Sequence, residues 1–301
     1  MSLWRRRAER APRPAARRPP RASRQAAWRA RGLAVALIAA TLGSAAAAQT
    51  PFPASVPQGS LVIGSVAPGS TVRYADRNLR VTPGGNVVFG VGRDVNGTLQ
   101  VSVRSPTGAT QEFSIAVTPR DWPVERIVGV PPRTVEPPPA LAERIRREQA
   151  RVVAARTRDA ARSDFLETFI WPATGRISGR FGNHRVYVVE GRDVPGSAHS
   201  GMDIAAPAGT PVKAPASGVV TFADADLYLT GGTVLLDHGH GVSSNFLHLS
   251  RIDVKVGQVV AQGEVIGAVG KSGRATGPHL HWGLNWFDVR LDPLLLPGIR
   301  D

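Results

Sequence analysis

The sequence predicts a mostly β chain in two folded parts, joined by a Pro-rich linker and one charged helix. Three observations carry this reading. Short β-branched runs alternate with turn residues from about Gln58 to Thr118, and a stretch free of Gly and Pro runs from Ala140 to Phe169. From Trp171 onward, apolar runs return between frequent glycines.

The first 48 residues stand apart. They hold 11 Arg against one acid, Glu9, and so supply +10 of the formal net charge of +14. The sequence pI of 11.4 therefore reflects a tail, and no nucleic-acid partner is expected. The apolar run from Leu33 to about Leu42 is too short for a permanent span, and "SAAAA" offers small residues for cleavage. Residues 1–48 are expected to be a signal peptide, and the protein to be exported to the periplasm or cell envelope. No stable membrane span is expected after processing. The chain has no Cys, so any metal site must be built from His and carboxylates.

Residues 49–118 are expected to form a small all-β accessory domain, a sandwich of six or seven strands. "SLVIGSVAPGSTVRYA", "LRVTPGGNVVFGVGRD", "GTLQVSVRSPTG" and "TQEFSIAVTP" alternate well and are punctuated by Pro-Gly, Gly-Gly, Asn-Gly and Thr-Gly. No cluster of catalytic residue types falls within them. Seven prolines between 119 and 139 predict a stiff linker. The charged helix over 140–169 carries a narrow apolar stripe of Leu141, Ile145, Val152 and Val153. It is a spacer or a lid on the domain that follows. Residues 170–301 read as a second all-β domain with tight turns.

That second part holds all seven histidines. In "GPHLHW", His279 and His281 share one face of a strand, ~7 Å apart along it. Two imidazoles so placed are either a wet polar face or half of a metal site. "HSGMD" sets His199 and Asp203 four residues apart, and "NFLHLS" contributes His248. His199, Asp203 and one histidine of the pair would hold zinc with a fourth position open, as catalytic sites do. A second imidazole beside a zinc-activated water can act as general base, and another can stabilise an oxyanion.

The ordered motifs "HSGMDIAAPAGTPVKAPASGVV", "LLDHGHGVSSNFLHLS", "VKVGQVVAQGEVIGAVGKSGRATGPHLHW" and "VRLDP" resemble those of the lysostaphin/LytM-type zinc metallopeptidases. The resemblance runs from about Trp171 to Pro293. It implies a compact antiparallel β metallopeptidase domain with an open groove and one Zn2+ per chain. By matching position it implies His199, Asp203 and His281 as zinc ligands and His279 as the base. It also implies His248 at the polarised oxygen of the scissile amide. The substrate it implies is the stem peptides of peptidoglycan, with D,D-endopeptidase cleavage of cross-links expected first.

Two departures are visible. Phe246 stands where the family has Tyr, which would remove a donor worth ~10²-fold if Tyr held the oxyanion. Trp282-Gly283 replaces Phe-Glu. Further candidates are Asn183 or His184 at zinc or substrate, Arg180 on a substrate carboxylate, and Asp237 behind a ligand histidine. His238 and His240, in the turn "DHGHG", read as structural. The alternative function is a non-enzymatic regulator of the same fold that activates a cell-wall amidase or a divisome partner. Such proteins usually lack ligand residues, and all five positions are present here.

Overall fold

Alternating apolar residues between glycine-bearing turns fold the N-terminal part as seven strands. In the computed structural model, which describes residues 50–299, these are β1 (Ser55–Pro57), β2 (Leu61–Ser65), β3 (Thr71–Tyr74), β4 (Arg77–Leu79), β5 (Asn86–Gly90), β6 (Thr98–Arg104) and β7 (Thr110–Thr118). The first sheet has the order β1-β7-β6-β3-β4, and β2 pairs with β5 in a second. Val62, Val72, Phe89, Val101 and Ile115 fill the core they share. The expected signal peptide lies outside the described residues.

Next come β8 (Val124–Val128), α1 (Pro132–Val135) and α2 (Pro139–Arg156). The remaining chain supplies β9 (Arg176–Gly179), β10 (His184–Val189), β11 (Arg192–Ala198), β12 (Met202–Ala205), β13 (Pro211–Lys213), β14 (Gly218–Leu227) and β15 (Gly231–Gly239). It ends with β16 (Val242–Leu249), β17 (Arg251–Ile252), β18 (Val259–Val260), β19 (Val265–Ala268), β20 (His279–Trp286) and β21 (Val289–Leu291). An antiparallel sheet of order β18-β14-β15-β16-β20-β12-β9, with β21 on β20, carries the functional residues. The strands β13-β19-β17 make a smaller sheet.

Residues 119–139 were expected to be only a linker, yet they are partly folded. β8 adds to the edge of β10 in parallel, and Val130 is buried with Tyr187 and Val189. The prolines stand before and after β8, where a missing N–H costs no ladder bond. The charged helix is also shorter than its composition predicts. α2 ends at Arg156, although nothing in the following residues breaks a helix. The next segment leaves the helix to bury Phe165 and Phe169, each 1 % exposed. His240 N–H then donates to Ala160 O at 3.0 Å, so tertiary bonds replace intrahelical ones.

The two β bodies meet over one continuous core. Gly90 of β5 faces Trp286 and Leu291, and a Cβ there would lie 2.8 Å from Trp286 Cβ. The Tyr74 and Trp286 rings lie 6.1 Å apart. Arg120 Nη2 donates to Asp292 Oδ2 at 2.7 Å while its Nη1 donates to Gln58 O at 2.9 Å. These bonds join the N-terminal part to the short helical turn Pro293–Leu295 that Asp292 caps.

Candidate metal centre

Strand pairing assembles the centre. β12 lies antiparallel to β20, setting Asp203 opposite His281 and Ala205 opposite His279. Directly paired residues project to the same side of a sheet, so these groups share one face. His199 enters after β11, held by its N–H to Asn183 O at 2.9 Å. Gly201 fits between because a Cβ there would lie 2.5 Å from Trp282 O and 2.7 Å from His281 Nε2. Any larger residue would push the two ligand strands apart.

Three atoms converge. His199 Nε2 lies 3.1 Å from Asp203 Oδ1 and 3.0 Å from His281 Nδ1, and His281 Nδ1 lies 2.9 Å from Asp203 Oδ1. His199 directs Nδ1 at Arg180 O at 2.9 Å, so in the neutral ring that metal ligation requires, Nε2 carries the lone pair. The triangle therefore holds two lone-pair atoms and at most one N–H, which cannot satisfy three contacts. A cation can. Tetrahedral zinc bonds of about 2.0–2.1 Å set ligand atoms about 3.3 Å apart, a few tenths longer than the triangle seen here. The donor set fits Zn2+. His281 Nε2 is buried without a partner among the described residues.

The electrostatics agree with ligand duty. Burial opposes charge on Asp203, but contacts with His199 and His281 outweigh it and hold the carboxyl well below its usual range. Burial pushes His281 down to about 4, against the pull of Asp203. Arg185 Nη2 donates to Asp203 Oδ2 at 2.5 Å, leaving Oδ1 for the metal. This partner is absent from the sequence reading. It lies 18 residues from Asp203 on β10, and no local motif joins them.

Two further imidazoles face the triangle. His279 donates Nδ1–H to Gly277 O at 2.9 Å and turns Nε2 to within 3.8 Å of Asp203 Oδ1. His248 donates Nδ1–H to Ser272 O at 2.7 Å, and its ring centroid lies 4.7 Å from that of His279. A register shift between β15 and β16, where Gly232 and Val234 face Leu249 and Phe246, and a left-handed φ of +64° at His248 turn this side chain into the site. Such a conformation costs about 1–3 kcal/mol and is held only by the surrounding structure. Burial, then His279 and His281, push His248 down to about 3. At neutral pH it is an uncharged acceptor at Nε2.

The other candidates lie elsewhere. Phe246 pairs with Val234 and Trp282 on the core face, so its missing hydroxyl takes nothing from the groove. Asp237 accepts from Gly239 N–H, serving the hairpin turn and no ligand histidine. His238 donates to Ser217 O and accepts from Ser244 Oγ, as a structural histidine does. Asn183 donates to Glu125 Oε1 at 2.6 Å, and His184 contacts Arg93. Arg180 reaches the centre through its carbonyl. A cleft of about 270 Å³ opens beside the triangle, lined by Asp203, His279, Arg176, Arg274 and Tyr187.

The model of peptidase family M23 matches residues 197–293. A solved structure from Pseudomonas aeruginosa assigned to peptidase M23 is 33% identical, covers 81% of this chain and 95% of that one, and superposes with a TM-score of 0.60. The chain belongs to peptidase family M23. Among curated relatives, the peptidoglycan DD-endopeptidase ShyA of Vibrio cholerae is 44% identical over 36% of this chain and 24% of its own length. The DD-carboxypeptidase/endopeptidase Mpg of Neisseria meningitidis is 49% identical over 28% of this chain and 19% of its own. The chain thus matches about a quarter or less of the length of these relatives. The M23 match spans His199, Asp203, His248, His279 and His281.

Proposed function

We propose that this M23 chain is an exported zinc endopeptidase that hydrolyses peptide cross-links of peptidoglycan by D,D-cleavage. The observation that carries the reading is the His199–Asp203–His281 triangle with two further imidazoles, His279 and His248, turned toward it. Curated relatives bearing the DD-endopeptidase name support the substrate class. Zinc held by the triangle would supply Lewis acidity, activating water and polarising a carbonyl at neutral pH.

The chain's own groups do the rest. His199, Asp203 and His281 hold the ion, with the His199 tautomer fixed by Arg180 O and the Asp203 carboxylate steadied by Arg185. His279 Nε2 is placed to take a proton from the attacking water and return it to the departing amine. His248, an acceptor at rest, orients the water. It can donate to a developing oxyanion only after a proton has reached the pair.

The test is digestion of purified sacculi with and without chelator. Soluble muropeptides should appear, stop on chelation and return with zinc. His199→Ala or Asp203→Ala should lose metal and cleavage together, and His279→Ala should keep metal while turnover falls at least ~10²-fold. A zinc-loaded protein that leaves sacculi intact while stimulating an amidase would establish the regulator alternative instead.

A further inference from the structure

A second cleft, of about 310 Å³, lies under α2 on the same face of the sheet as the metal centre. Its lining starts at Ser200, the neighbour of His199, and includes Asn245 and Leu247, which pair with Gly283 and His281. Its other end holds Arg156 and Arg290. Arg156 is 7 % exposed, and its Nε and Nη1 are buried with no partner among the described residues. Arg290 donates one bond, to Asn285 Oδ1 at 2.5 Å. Burial lowers both guanidinium pKa values, Arg290 to about 9, with Arg156 adding to its depression.

Two cations, one buried and one half-buried, thus share this end with no carboxylate in contact among the described residues. Glu148, the acid in the lining, is engaged by Arg144 Nε and Tyr228 N–H. Asp288 acts on both arginines only at longer range. Arg156 lies in the last turn of α2, where the helix dipole favours a cation, but that does not satisfy a buried Nε and Nη1. Leaving such groups unpaired is costly.

We propose that Arg156 and Arg290 form an anion subsite that receives a free carboxylate of the peptide substrate. From His281 to Asn285, the partner of Arg290, β20 advances about 13 Å. The carboxylate would therefore sit about four extended residues from the scissile bond. This rests on the peptidase reading for the identity of the ligand, though not for the existence of the anion site.

The experiment follows thermal unfolding of the zinc-loaded protein at constant ionic strength. The probes are acetyl-tetra-alanine with a free carboxylate, the same peptide amidated, and inorganic phosphate. The free acid should raise Tm in a saturable way and the amide should not. Arg156→Met and Arg290→Gln should each weaken the acid's apparent Kd at least tenfold. Arg156→Met, having lost an unpaired buried charge, should match or exceed the wild-type Tm without ligand. Equal shifts from acid and amide, or an unchanged response in both variants, would overturn the proposal. A response to phosphate with none to the peptide acid would overturn the assignment to substrate. Sacculi left intact with the acid response preserved would remove the peptidase reading alone.

Discussion

Asp203 divides its two oxygens between tasks. Oδ1 faces His199 and His281, while Oδ2 accepts from Arg185 at 2.5 Å. The guanidinium fixes the carboxylate's rotation and would compete with a bound metal for its charge. Outer partners of metal ligands typically govern about 10–100-fold in affinity. Arg185→Gln should therefore change zinc affinity by about that factor, as read by chelator competition, and removal of the positioning bond predicts a loss. Unchanged affinity would mean that the pair only satisfies buried charge. The triangle itself was legible in sequence because His199/Asp203 and His279/His281 are short-range spacings. Arg185 and Arg156 were not, because each acquires its meaning from residues distant in the chain.

At the scale of elements, the segment after α2 shows what local patterning misses. Its composition reads as helix, but Phe165 and Phe169 pack on His240 and His238 with ring centroids 4.9 and 5.3 Å apart. Likewise β8 hides among prolines, since its strand character comes from pairing with β10. The β-branched alternation of β5 to β7 needed no such help. Burial holds the His238 pKa below its ordinary 6.5, against the pull of Ser217 O. The unfolded chain thus binds this proton more readily than the folded one. Its stabilising contribution is present above about pH 6.5 and is lost as pH falls through the folded value. Urea midpoints should drop between pH 7.5 and 5.5, and His238→Asn, which keeps a donor near Ser217, should flatten part of that slope. A slope unaffected by the change would assign it to other groups.

For the molecule as a whole, the shared core and the Arg120–Asp292 pair make the sandwich and the body that carries the His–Asp–His triangle interdependent. Asp292 is 1 % exposed, accepts from Arg120 and from Leu294 N–H, and so serves both bodies. Removing Asp292 takes a charge-assisted bond from Arg120, which keeps its contact with Gln58 O, and a hydrogen bond to a charged group is worth about 1.5–3 kcal/mol. Asp292→Ala should lower stability by that order. Calorimetry of the wild type should give one transition, with matching calorimetric and van't Hoff enthalpies. Two separated transitions would show that the bodies melt independently.

β15 is buried along its whole length, because the core lies on one side and α2 packs over Leu235 on the other. Before the chain has folded, that same segment offers "VLL", apolar on both faces of a strand, a pattern that favours self-association. Paired glycines precede it and Asp237 follows it, which places breakers at both ends. The residues that shape the hairpin in the native state thus also guard the nascent chain against aggregation.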